Sequence, residues 1–220
     1  MSEITKSRIL RFLIILYCAF ICLNVSQASP PSGKRLIKQL QLAYENAQTI
    51  SCTFRMEFQW TLAGEIDITE GSMLLAKENR FHYETPQQVS VCDGETLWRF
   101  NKTSQQVIVE NQKEAETGVM PREILFEYPK QFEVIEVKDA VVKDRQSYLL
   151  EMQPRDNTLG ITSLKLWLDA EDSLTRRMEW IDIDGNRTTY VLESLLLNQE
   201  IPNDRFVFII PENATVYDLR

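Results

Sequence analysis

The residues able to do acid–base, nucleophilic or metal chemistry are few in this sequence, and their spacing does not favour it. His82 is the single histidine, so no histidine-based metal cluster can form and general-base capacity near neutral pH is small. Its context, Arg80-Phe81-His82-Tyr83-Glu84, reads as an exposed or edge strand position rather than a ligand. Cys52 and Cys92 have no histidine beside them to hold a thiolate. No Gly-x-Ser-x-Gly elbow, His-Glu-x-x-His helix or phosphate-cradling glycine loop occurs. Asp182-Ile183-Asp184-Gly185-Asn186 opens like a calcium loop, but the following Arg187-Thr188-Thr189 does not continue it and the terminal bidentate glutamate is missing. Asp-Gly-Asn between two alternating segments reads as a hairpin turn. The sequence therefore predicts no enzyme, no metal centre and no cofactor, and leaves binding as the class of function.

What is unusual is an inventory of large apolar side chains at period two. Phe54, Met56, Phe58 and Trp60 share one face of a strand; Met73, Leu75 and, by parity, Lys77 share a face of the next. Phe81 with Tyr83, Trp98 with Phe100, Met178 with Trp180, and Tyr190 with Leu192 repeat the pattern. Such faces build either a close-packed core or the wall of a cavity too curved to be filled by its own side chains, and periodicity alone leaves both open. Lys77 ends its strand on the apolar parity. Its ammonium can reach the free carbonyls at a helix C-terminus or snorkel to solvent.

The elements that must position these residues follow from the same periodicities. One amphipathic helix spans Ser32–Ala47, with Leu36, Leu40, Ala43, Tyr44 and Ala47 on one stripe, Ser32 as its cap and Pro30-Pro31 blocking extension. From Ser51 the period drops to two. Strands are predicted at 51–60, 70–77, 80–84, 88–92, 96–101, 105–110, 132–138, 147–153, 162–168, 174–182, 188–197 and 205–209. Asp93-Gly94, Asn101-Lys102-Thr103, Asp169-Ala170-Glu171 and Asp184-Gly185-Asn186 mark turns between them. No helices alternate with the strands, which predicts an antiparallel meander curling into a sandwich or barrel. Residues 121–128 interrupt it as a short helix with Ile124, Leu125 and Tyr128 on one side, so that two helices are expected to act as lids.

The N-terminus bears on compartment. Lys6, Arg8 and Arg11 precede an apolar run from Phe12 to Val25, then Ser26-Gln27-Ala28. That is a signal peptide cleaved near Ala28, or else a retained anchor; the run is shorter than the roughly 20 residues of a membrane span. Lipoprotein processing at Cys18 or Cys22 is excluded by the bulky Tyr17 and Ile21 before them. Loss of Lys6, Arg8, Arg11 and Glu3 removes a net +2, taking the chain from −8 to −10. Such a chain is poorly suited to nucleic acid or an anionic membrane. Residues 29–220 are expected to form one soluble periplasmic domain. Whether Cys52 and Cys92 pair there is open.

The run Glu70-Gly71-Ser72-Met73-Leu74-Leu75-Ala76-Lys77 with Arg80-Phe81-His82-Tyr83 resembles the Gly-x-Leu-x-x-x-Arg-Pro-x-x-Phe-x-Trp/Tyr stretch of the LolA family of outer-membrane lipoprotein carriers. Val91-Cys92-Asp93-Gly94-Glu95-Thr96-Leu97-Trp98 is similar to its Val-Ser-Asp-Gly-x-x-Leu-Trp signature. Asp184-Gly185-Asn186 with Tyr190, Phe206-x-Phe208-x-x-Pro211 and Val216-x-Asp218 resemble its C-terminal half. The resemblance implies an incomplete antiparallel β-barrel of about eleven strands, with N-terminal and mid-chain helices as a lid over an apolar cavity. It implies a monomeric periplasmic carrier that takes acylated lipoproteins from an inner-membrane ABC transporter to an outer-membrane receptor of LolB type. The lipid-binding residues would be Phe54, Met56, Phe58, Met73, Leu75 and Phe81, with Tyr83, Trp98, Leu125, Met178, Trp180 and Tyr190. The family's lid-holding arginine falls on Lys77 and its proline on Glu78, and lysine lacks the planar guanidinium fork. Two other roles stay open: carriage of a different lipid, or lipid sensing of the RseB type.

Overall fold

The computed structural model describes residues 30–113, 125, 128–156 and 159–220. The architecture is that of Pro31–Arg220, which separates from Met1–Pro30 as its own unit. Helix α1 (Gly33–Asn46) is followed by β1 (Thr49–Trp60), β2 (Glu65–Ala76), β3 (Phe81–Glu84), β4 (Gln88–Cys92), β5 (Thr96–Asn101) and β6 (Gln106–Asn111). After the single turn α2 (Tyr128–Gln131) come β7 (Phe132–Val142), β8 (Arg145–Pro154), β9 (Ile161–Asp169), β10 (Thr175–Asp182) and β11 (Arg187–Leu197). A 3-10 turn (Asn203–Phe206) and β12 (Thr215–Asp218) complete the order. All twelve strands form one open sheet, β12-β6-β5-β4-β3-β2-β1-β11-β10-β9-β8-β7.

Every neighbouring pair is antiparallel except β12 with β6, which is parallel. That parallel edge corrects the purely antiparallel expectation. The strand expected at 205–209 is corrected too: a 3-10 turn ends at Phe206 and no strand forms there. Pro202 and Pro211 bracket that segment, Phe206 is buried, and the carbonyl of Arg205 lies 2.9 Å from His82 Nδ1, so it is held by a side chain rather than a ladder. The predicted helix at 121–128 lies, apart from Leu125 and Tyr128, outside the described residues. The α1 stripe holds, with Leu36, Leu40 and Tyr44 buried. Ser32 stands at the cap position, but its hydroxyl makes no capping bond; its backbone carbonyl accepts the N–H groups of Arg35 at 2.9 Å and Leu36 at 3.1 Å.

The sheet curls around α1. One apolar cluster gathers Leu36, Leu40 and Tyr44 with inward residues from ten strands, from Leu97 on β5 round to Phe132 on β7. Laid flat, ten strands span about 43 Å, four times the width of a helix, and bending the sheet brings more of them towards one helix. Tyr44 fixes the depth of α1: its oxygen accepts the Thr175 N–H at 3.3 Å. Burial pushes its pKa up to about 12 against the opposing Thr175 bonds. The hairpin turns close on themselves. The Asp93, Asn101, Asp169 and Asp182 carboxylate or amide oxygens each accept backbone N–H groups two to four residues on. In the Asp182–Asn186 segment this use of the carboxylate, with Gly185 at φ 82°, makes a turn.

Gly71 is a crowded glycine in the sheet interior. A Cβ there would lie 2.4 Å from the Glu84 carbonyl oxygen and 2.5 Å from the Phe54 ring. Phe54 on β1 leans across β2 at this point to reach β3. Gly71→Ala is therefore expected to lower the unfolding free energy by about 1–3 kcal/mol through overpacking, measured by urea denaturation. An unchanged midpoint would show that Phe54 does not need this gap.

Candidate functional site

The inward face carries a continuous aromatic row. Tyr83 and Phe54 stack with centroids 5.2 Å apart and planes 14° apart, Phe54 tilts against Tyr190 at 5.5 Å, and Tyr190 stacks on Trp180 at 5.7 Å and 18°. Four side chains thus bridge β3, β1, β11 and β10, and the phenols of Tyr83 and Tyr190 share a hydrogen bond. Burial raises the Tyr83 pKa, with the bonds to Tyr190 and Gln88 opposing it.

Along β1 the cover thins away from α1. Phe54 is 2% exposed, Met56 and Phe58 are half-buried, and Trp60 is 46% exposed. Phe58 packs edge-on against Trp60 at 4.7 Å. Register places Met56 opposite Tyr190 and Tyr190 opposite Met178, Trp180 opposite Leu164, Met73 opposite Tyr83, and Leu75 opposite Phe81. These residues share one face. Leu125 is also buried in the same cluster, against Leu40 and Tyr44 of α1.

Trp98 is not brought to them. Leu97 pairs with Cys92 and points inward, so Trp98, one residue on, points to the opposite face. There it packs on Val89, Val91, Phe100, Val107 and Val109 under Phe208 and Ala214 of the returning C-terminal segment. Nothing in the strand's own alternation distinguishes the two faces. A feature that periodicity missed is the ion pair Arg99–Glu110 at 3.1 Å, which shares the inward parity of Leu97 and puts charge at one margin of the face, as Glu65 and Asp67 do beside Trp60 and Phe58.

Lys77 joins the sheet to the helix. Its Nζ donates to the carbonyl of Glu45, in the last turn of α1, at 2.5 Å, and its backbone N–H donates to Gln48 at 3.2 Å. The carboxylate of Glu45 in turn faces Lys130 of α2 at 4.0 Å. Of the two outcomes open for Lys77, the helix-terminal carbonyl is the one found.

A profile described as "Outer membrane lipoprotein carrier protein LolA" matches residues 45–209. The chain belongs to the LolA family. It is 26% identical over 215 residues to the outer-membrane lipoprotein carrier protein of Azotobacter vinelandii, covering 95% of this chain and 98% of that one. Identity to the protein of the same name from Halorhodospira halophila is 26% over 215 residues, covering 93% of each. An uncharacterized conserved protein from Thermus thermophilus shares the fold, with a TM-score of 0.57 at 10% identity over 86% of this chain and 99% of that chain.

In this LolA-family chain the turn after Lys77 is left-handed. Glu78 has φ 62° and Asn79 φ 59°, a left-handed pair in which proline, locked near −65°, cannot stand at position 78. The turn that follows Lys77 is thus built differently from one that carries proline there.

Cys52 and Cys92 are both buried free thiols. They lie on β1 and β4, three strand spacings or about 14 Å apart along the sheet, where a disulfide needs Cα atoms within about 7 Å. Burial pushes Cys52 up to about 12 and Cys92 to about 11. Both thiols should resist alkylation at pH 8 in the folded chain and react fully in denaturant, read by mass spectrometry. A Cys52–Cys92 disulfide, cleaved by dithiothreitol, would contradict the register given above, and rapid labelling of the native chain would contradict the burial.

Proposed function

We propose that this chain is a periplasmic carrier that shelters the acyl chains of lipoproteins on its inward face. The observation that carries this reading is the aromatic row Tyr83–Phe54–Tyr190–Trp180 running out to Met56, Phe58 and Trp60, apolar on a curled sheet and increasingly exposed away from α1. Flat rings and a methionine thioether offer contact to a chain of no fixed shape, with no geometry for catalysis. The names of the relatives favour lipoprotein as the cargo. An inner-membrane ABC transporter would load it and an outer-membrane receptor of LolB type would relieve it. Secretion would follow cleavage near Ala28.

Energy decides what the carrier needs besides a surface. Each buried CH₂ gains about 0.8 kcal/mol, so a sixteen-carbon chain is held by roughly 12 kcal/mol and does not leave unaided. Something must move. Helix α1 covers the deep end of the face, and Lys77 and Lys130 both engage Glu45 near its C-terminus. A single exposed ammonium–carbonyl bond contributes only about 1–2 kcal/mol, enough to bias the helix without locking it. Arginine would grip more carbonyl groups at once.

Exchange of a fluorescent palmitate analogue, followed by stopped flow, tests this. Lys77→Leu is expected to speed both uptake and release about tenfold, and Lys77→Arg to slow them. If neither variant changes exchange, Lys77 does not gate the site. If the wild-type chain takes up no acyl probe, the carrier reading itself fails.

A further inference from the structure

Strand β2 is paired on both sides for only part of its length. It meets β1 across twelve consecutive pairs, Thr49↔Ala76 to Trp60↔Glu65, without a register shift. It meets β3 only from Ser72 to Leu75. Among the described residues, Glu65–Glu70 therefore form an overhang with one ladder filled and the other free. Six residues make an edge of about 20 Å, with alternate residues turning N–H and C=O groups outward.

This edge is protected only by its carboxylates, Glu65, Asp67 and Glu70, which repel a like-charged strand and not a basic one. The terminal edge β12 is four residues long, and β7 carries a register shift between Val134 and Glu136. The β2 overhang is regular and has no proline, no bulge and no basic residue. It exposes Ile66 by 53% and Ile68 by 55%. Its end is held: Thr61, in the β1–β2 turn, donates from Oγ1 to the Gly185 carbonyl at 2.5 Å, and its backbone N–H donates to the Asn186 side chain at 3.2 Å.

The side chains along the edge are sorted by face. Register opposite Phe58 and Trp60 puts Asp67 and Glu65 on the inward side, while Ile66 and Ile68 stand on the outward side with Gln59 and Glu57. A strand added here would lay its own alternate side chains beside carboxylates on one face and isoleucines on the other.

We propose that the Glu65–Glu70 edge of β2 is a docking site for an extended partner segment that alternates basic and apolar residues, added as a further strand. A second copy of this chain is a poor occupant, because its overhang would set Glu65 and Asp67 against like charges. A bilayer is equally poor, since the same strip would bring its carboxylates into the membrane interface. The proposal does not depend on what the inward face carries.

The probe is a fluorescein-labelled, end-capped octapeptide of alternating lysine and valine, titrated by anisotropy against the intact protein. The expected result is saturable binding that weakens at least tenfold with alternating glutamate and valine, and at least tenfold in Ile68→Lys. Amide exchange at residues 65–70 should slow on peptide addition while the rest of the sheet is unaffected. Ile68 is exposed, and an unchanged circular dichroism spectrum confirms that the variant folds; Glu65→Lys provides a second variant with the same expectation. The proposal is overturned if the lysine–valine peptide does not bind, if it binds without slowing exchange at 65–70, or if both variants bind it as wild type does. Concentration-dependent protection of 65–70 without peptide would replace it with self-association. Binding to phosphatidylcholine vesicles that is lost in Ile68→Lys would replace it with a membrane contact.

Discussion

A twelve-strand sheet with one strongly apolar face has more surface to hide than its own curvature can enclose, and among the described residues α1 and Leu125 add cover to it. Leu36, Leu40 and Tyr44 belong to one apolar cluster with inward side chains of ten strands. Bending the sheet brings more of those strands towards one helix, and it brings β3, β1, β11 and β10 close enough for one aromatic row. Gly71 gives Phe54 the space to cross a strand, and the Tyr44–Thr175 bond sets how deep the helix lies. The helix covers the deep part of the face and leaves Met56, Phe58 and Trp60 progressively less covered. The same arrangement that completes the core thus leaves a surface for a guest.

That division between core and site was partly legible in the residue pattern. Phe54, Met56 and Phe58 alternate cleanly, the α1 stripe repeats at helical spacing, and Asp-Gly and Asn-Lys-Thr turns fall where the strands end. What the pattern could not say is which face a given strand turns inward. Trp98 and Phe100 alternate as well as Phe81 and Tyr83 do, yet they pack outward, because their cover is Phe208 and Ala214 more than a hundred residues later in the chain. The parallel pairing of β12 has the same origin: it depends on where a returning segment ends, which local periodicity does not encode. Arg99 and Glu110 were missed because neither looks unusual alone; register brings them together.

The β9–β10 turn beside α1 is held by charge. Asp169, 1% exposed, accepts bonds from Arg145, from Arg176 at 3.2 Å and from the N–H groups of Glu171 and Asp172. Burial works against its ionisation, but these donors together keep the carboxylate well below its ordinary range. The β9–β10 turn is thereby fixed, and it carries the Thr175 N–H that Tyr44 of α1 accepts, while Lys77 Nζ adds an exposed bond to the carbonyl of the neighbouring Glu45.

Photolabelling with a palmitate whose terminal carbon bears a diazirine, followed by peptide mapping, tests the central claim most directly. The account predicts adducts on Met56, Phe58, Tyr83 and Trp180 that unlabelled palmitate suppresses. Suppressible adducts on Trp98, Phe100 or Phe208 of the outward face, with none on the inward row, would contradict it.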